Sequence, residues 1–130
     1  MRLKRQRLIR PLFDRNRADV GSLAVGSVRL LYRVVDRREV GQPVPVQVGF
    51  SAGRGARPAV VRNRVKRILR EVYRVHQAGL IDLFSRRDET LTLMVLYRGD
   101  PATARRRVPR DLPAALRKLV MRLEAGSPPA

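Results

Sequence analysis

The residues with the clearest chemical potential lie between positions 59 and 77, in the stretch AVVRNRVKRILREVYRVHQ. Arg62, Asn63, Lys66, Arg67, Arg70 and Arg74 recur at three- and four-residue intervals. At about 100° per residue they therefore share one side of a helix. Arg62, Lys66, Arg70 and Arg74 make an unbroken row at i, i+4, and Glu71 is the single acid on that side. Like charges at this spacing repel and cost helix stability. A line of phosphates would relieve the repulsion, because guanidinium and ammonium groups pair with phosphate oxygens by charge-assisted hydrogen bonds. The plainer alternative is a basic face that is merely solvated.

The same helix has a second side. Val61, Val65, Ile68, Leu69, Val72 and Val75 fall within an arc of roughly 120°, the stripe of a helix that packs on a core. The stretch is thus expected to bury one face and display the other.

Nothing comparable suggests a catalytic centre. The eleven acids are scattered, and only Asp88 and Glu89 adjoin, in a polar stretch that reads as a solubilising turn. There is no Cys, which removes disulfides and thiolate metal sites, and a lone His76 cannot build a histidine site. The segment 52–56, AGRGA, is Gly-rich but lacks the Lys-Ser/Thr ending of a phosphate-binding loop. It reads as a mobile loop carrying Arg54 and Arg57. No catalytic residue and no metal ligand is expected in the chain.

Composition points the same way. The chain has 130 residues, enough for one domain with one core. Lys and Arg number 29 against 11 acids, a net charge of +18. So one-signed a chain repels itself, and a nucleic-acid or acidic-membrane partner is the usual compensation. No apolar run approaches the roughly 18 residues of a membrane span. The basic start lacks the apolar core of a signal peptide. These features predict a cytoplasmic protein with no membrane partner and no small-molecule substrate.

The elements that position these residues follow from periodicity and punctuation. Ile9, Leu12 and Phe13 share a side at helical spacing, and Pro11 suits a first turn, so a helix is predicted over 10–17. Gly21, Ser22 and Gly26 mark 19–26 as a loop. Strands are predicted over 27–35, 46–51 and 90–97, from β-branched and aromatic content. Residues 36–45 read as a polar turn. The central helix ends at Ala78-Gly79, and 80–84 adds a short helical turn. Residues 105–107 read as a basic loop. Asp111 would cap a last helix, with Pro113 in its first turn and its end near Leu123. Phe13 and Tyr32 each sit among arginines, as a base-stacking platform requires; core packing is the alternative for both. The fold class predicted is α+β, a two-layer α/β sandwich of one sheet with helices. Residues 1–123 would form the domain and 124–130 a disordered tail.

The run Arg62-Asn63-Arg64, Val65, Lys66-Arg67, Ile68-Leu69, Arg70-Glu71 resembles the signature of the protein subunit of bacterial ribonuclease P. The basic N-terminus with Leu12-Phe13, the Leu31-Tyr32 strand and Gly49-Phe50-Ser51 before a basic loop agree with it. The resemblance implies element order αβββαβα with a left-handed βαβ crossover. It implies that Arg62, Asn63, Arg64, Lys66, Arg67, Arg70 and Arg74, with Arg54 and Arg57, meet a catalytic RNA. It implies a cleft lined by Phe13, Tyr32 and Ile9 for the single-stranded 5′ leader of precursor tRNA, and hydrolysis carried by the RNA with Mg²⁺ that the RNA mainly holds. The rival from another class is a non-enzymatic RNA-binding protein such as a ribosomal protein. A protein-only nuclease would need clustered acids.

Overall fold

The computed structural model describes residue 3, residues 6–41 and residues 44–126. Its centre is one four-stranded sheet built from β1 (Val20–Val25), β2 (Val28–Asp36), β3 (Val46–Ser51) and β4 (Glu89–Tyr97). The order across the sheet is β1-β2-β4-β3. The pairs β1–β2 and β2–β4 are antiparallel, while β3 and β4 run parallel. Parallel neighbours need a crossover, and α3 (Ala59–His76) followed by α4 (Ala78–Ser85) provides it. The remaining helices are α1 (Gln6–Ile9), continued by a 3-10 turn at Arg10–Phe13, the short α2 (Arg37–Val40), and α5 (Ala104–Glu124), which follows a 3-10 turn at Pro101–Thr103. The implied order αβββαβα is present, with α2 and α4 added.

Alternation along the strands gives the sheet two apolar faces. Val28, Leu30 and Tyr32 of β2 join Leu91, Leu93, Val95 and Tyr97 of β4 and Val46 and Val48 of β3 on one face. That face packs against Val65, Ile68 and Leu69 of α3 and against Leu112, Leu116 and Leu119 of α5. Leu31, Val35 and Met94 point the other way and are covered by Leu3, Leu8 and Leu12 of the N-terminal segment.

Several expectations change. Residues 19–26 are not a loop: Val20–Val25 pairs with β2 from Val20↔Arg33 to Val25↔Val28. Gly21, taken as a loop marker, is a strand glycine. It faces Tyr32 in register, and a Cβ there would collide with the Tyr32 ring. The regular N-terminal helix ends at Ile9 and tightens to a 3-10 turn at Pro11, instead of starting there. Arg105–Arg107 are not a loop but open α5, which runs through Pro109 and Pro113. Each internal proline removes a helical hydrogen bond. The buried stripe Ala104, Val108, Leu112, Ala115, Leu116, Leu119 and Leu123 outweighs that loss. Gly79 lies inside α4 and does not terminate a helix. Val75 is 71% exposed, outside the stripe assigned to it. Of the predicted tail, Glu124 closes α5, while residues 127–130 lie outside the described residues.

Candidate nucleic-acid interface

α3 forms because eighteen consecutive residues carry neither Gly nor Pro, and Pro58 at its N-cap sits extended at φ −64°, ψ 139°. Val65, Ile68, Leu69 and Tyr73 are buried beneath it, with Val61 and Val72 packed at the margin. Anchoring by this stripe fixes the helix's rotation. Arg62, Asn63, Arg64, Arg67, Arg70 and Arg74 are consequently exposed and Lys66 is half-buried.

The display is divided. Asn63, Lys66 and Arg70 turn towards the outer edge of β3, where with Leu3, Gly49 and Phe50 they line a cleft of about 350 Å³. Arg64 lies about 100° around the helix from Asn63 and is not part of that lining. Arg67 faces solvent and pairs with Glu71 at 3.0 Å. Arg62 donates to the Arg57 carbonyl, tying the preceding loop to the helix. Phe50 is half-buried in the cleft wall and meets Tyr73 edge-on, centroids 5.7 Å apart at 71°. The signal that could have found it is Gly49-Phe50 at the end of a strand that feeds the basic helix. Burial pushes the Tyr73 phenol up, and its hydroxyl has no partner among the described residues.

Arg54 and Arg57 are exposed on the loop between β3 and α3. That loop is held down, against expectation: Ala52 and Ala56 are buried, and Gly53 at φ +81° lies against the Tyr97 carbonyl, where a Cβ would not fit.

The predicted leader cleft does not assemble as a trio. Tyr32 is 0% exposed on the α3 face of the sheet, its hydroxyl accepting a bond from Arg122 at 3.1 Å. It cannot offer a ring face to a base, and we correct it to a core residue. Phe13 is 50% exposed. It follows Leu12, which packs on the opposite sheet face, and Ile9 is half-buried against that same cluster. Phe13 and Ile9 therefore share a neighbourhood, and Tyr32 is on the other side of the sheet.

Several acids are engaged with arginines away from α3. Asp19 pairs with Arg17 and Arg33, each at 2.8 Å, Asp36 with Arg38 at 3.1 Å, and Asp111 with Arg110 at 2.9 Å. Hydrogen bonds from Arg17 and Arg33 hold the Asp19 carboxyl well below the usual carboxylate range. Among the described residues, no three His, Asp or Glu side chains converge to hold a metal ion, and no helix is long and apolar enough to cross a membrane.

Known proteins resemble this chain in both sequence and fold. The ribonuclease P protein component of Desulfovibrio desulfuricans is 35% identical over 81 residues, covering 62% of this chain and 59% of the relative. That of Natranaerobius thermophilus is 41% identical over 54 residues, 42% of this chain and 43% of the relative. The chain thus spans less than two thirds of the length of these curated relatives. The RNase P protein of Staphylococcus aureus superposes with a TM-score of 0.59 at 18% identity, over 91% of this chain and 94% of that one. The protein from Thermotoga maritima gives 0.57 at 20%, over 94% and 96%. At such identities the likeness speaks for the fold. The family model for Ribonuclease P aligns with residues 1–97, the span that holds the sheet and the basic helix, and on that match this chain belongs to the Ribonuclease P family.

Proposed function

We propose that the chain is the protein subunit of ribonuclease P, working in the cytoplasm to help a catalytic RNA remove the 5′ leader of precursor tRNA. The observation that carries this reading is the strongly basic face of α3, with Glu71 its single acid, beside the β3 cleft. Asn63, Lys66 and Arg70 converge there, and Asp19, Asp36, Glu39 and Asp111 are engaged with other arginines. Cations so placed neutralise phosphate charge and release counterions, which strengthens RNA binding in a salt-dependent way. The precursor's leader would pass Phe13 and Ile9 on the other sheet face, where a half-exposed ring can stack on a base. The family's Mg²⁺ does not fit this chain's own donors, since its carboxylates are dispersed; in this reading the ion belongs to the RNA.

Reconstitution tests the proposal. With the catalytic RNA, the chain should increase affinity for precursor tRNA over mature tRNA and lower the Mg²⁺ needed for cleavage. The Lys66→Gln/Arg70→Gln variant should flatten the slope of log affinity against log salt by up to about 2. Arg62 is left intact because it also holds the Arg57 carbonyl. Cleavage by RNA-free protein, abolished by one Asp or Glu substitution, would refute the reading. A chain that binds the RNA but leaves cleavage unchanged would favour the non-enzymatic rival.

A further inference from the structure

α3 and α5 begin at the same end of the sheet, where the parallel strands β3 and β4 finish at Ser51 and Tyr97. They run side by side in one direction. A Cβ on Gly55, before α3, would lie 3.5 Å from Pro101, before α5. One on Gly79, after α3, would lie 3.3 Å from Val120 near the end of α5.

This end gathers arginines from three separate segments. Arg54 and Arg57 come from the loop before α3, Arg98 from the turn after β4, and Arg105 and Arg106 from the start of α5. All five are exposed. The ion pairs formed among the described residues involve none of them. The one acid within the stretch, Asp100, is exposed and caps the 3-10 turn, its carboxylate accepting the Ala102 N–H at 2.9 Å. Neither α3 nor α5 places an acid in its first turn, so both helix dipoles add to the positive potential there. Folding gains nothing from this crowding, since each cation at a helix start costs some tenths of a kcal/mol.

We propose that this end of the sheet is a second phosphate-binding surface, with Arg105 and Arg106 as its contacts beyond the α3 row, and that its partner is the backbone of the catalytic RNA. The proposal rests on the reading of the chain as an RNA-binding subunit. Continuity argues for the catalytic RNA as partner. The patch joins the α3 face through the Arg62–Arg57 bond. Phe13 instead precedes Val20, whose register partners Arg33, Thr92 and Gln47 lie towards the other half of the sheet.

The test measures binding of Arg105→Gln/Arg106→Gln to the catalytic RNA between 50 and 200 mM salt, beside wild type and Lys66→Gln/Arg70→Gln. Two lost phosphate contacts reduce the salt slope by about 1.8, so wild type should lose about 12-fold more affinity than the variant across that interval. Thermal melting of the free variant should stay level or rise. A wild-type slope for Arg105→Gln/Arg106→Gln, with the α3 variant flattened, overturns the second surface and leaves RNA binding by α3 standing. Unchanged slopes in both variants overturn the RNA reading and this inference together. A slope change seen with precursor tRNA alone, and not with the catalytic RNA, overturns the choice of partner.

Discussion

Asp111 ties the turn of the β1–β2 hairpin to α5 across 84 residues of sequence. Its Oδ2 accepts the Ser27 N–H at 2.9 Å and the Ser27 hydroxyl at 2.7 Å, and its Oδ1 accepts Arg110 Nε at 2.9 Å. Asp111 is 5% and Ser27 4% exposed. Asp111→Ala would strand two donors out of reach of water. A buried donor left unmet costs about 1–3 kcal/mol. The hydroxyl can rotate but the amide cannot, so the loss should be about 2–4 kcal/mol. For a domain of this size that lowers Tm by about 5–15 °C. Denaturant melts should shift their midpoint at constant m, and a double-mutant cycle with Ser27→Ala should show coupling of about 1 kcal/mol or more. The Arg110 guanidinium, then the two Ser27 donors, hold the carboxyl down to about 2 from its ordinary 3.8, against burial that pushes it up. A depressed carboxylate contributes stability above its unfolded pKa and loses it as pH falls through the folded one. The gap between wild type and Asp111→Ala should therefore be flat from neutrality to about pH 4 and close between about pH 4 and 2. A variant melting with wild type, or a cycle with no coupling, would refute this account of how α5 is held.

Tyr32→Ala should cost about 3–5 kcal/mol by emptying the space over Gly21, whereas Tyr32→Phe, losing only the Arg122 bond, should cost about 1 kcal/mol; a binding defect specific to precursor tRNA in a normally stable Tyr32→Phe protein would restore it to the leader site. Phe13→Ala should leave melting nearly unchanged and weaken precursor tRNA binding by about 1–3 kcal/mol while sparing mature tRNA; equal weakening of both RNAs would count against a stacking role. Val65→Arg should abolish cooperative melting, because it buries an unpaired charge beneath α3, and a folded Val65→Arg protein would show the stripe was misassigned.

The two-faced central helix was legible in the amino-acid sequence alone, because i, i+3 and i, i+4 spacing is a local property. Arg62 to Arg74 and Val65 to Leu69 lie on opposite sides whatever the rest of the chain does. β2, β3 and β4 were legible too, since their apolar content is local. Tertiary structure decided the rest. Gly21 looks like a loop residue until Tyr32 is paired across from it; the ring then fills the room the glycine leaves, and the two together make a strand and a core residue. Tyr32 among arginines looks like a stacking platform until β4 and α5 close over its face. Asp111 and Pro113 look like the cap and first turn of a helix until the buried stripe from Ala104 to Leu123 carries α5 through both Pro109 and Pro113. Phe50 enters a cleft only because the edge of β3 meets α3. In each case the deciding contact is non-local: strand pairing and face burial depend on residues tens of positions away, and their free energy exceeds the few tenths of a kcal/mol by which local preference speaks.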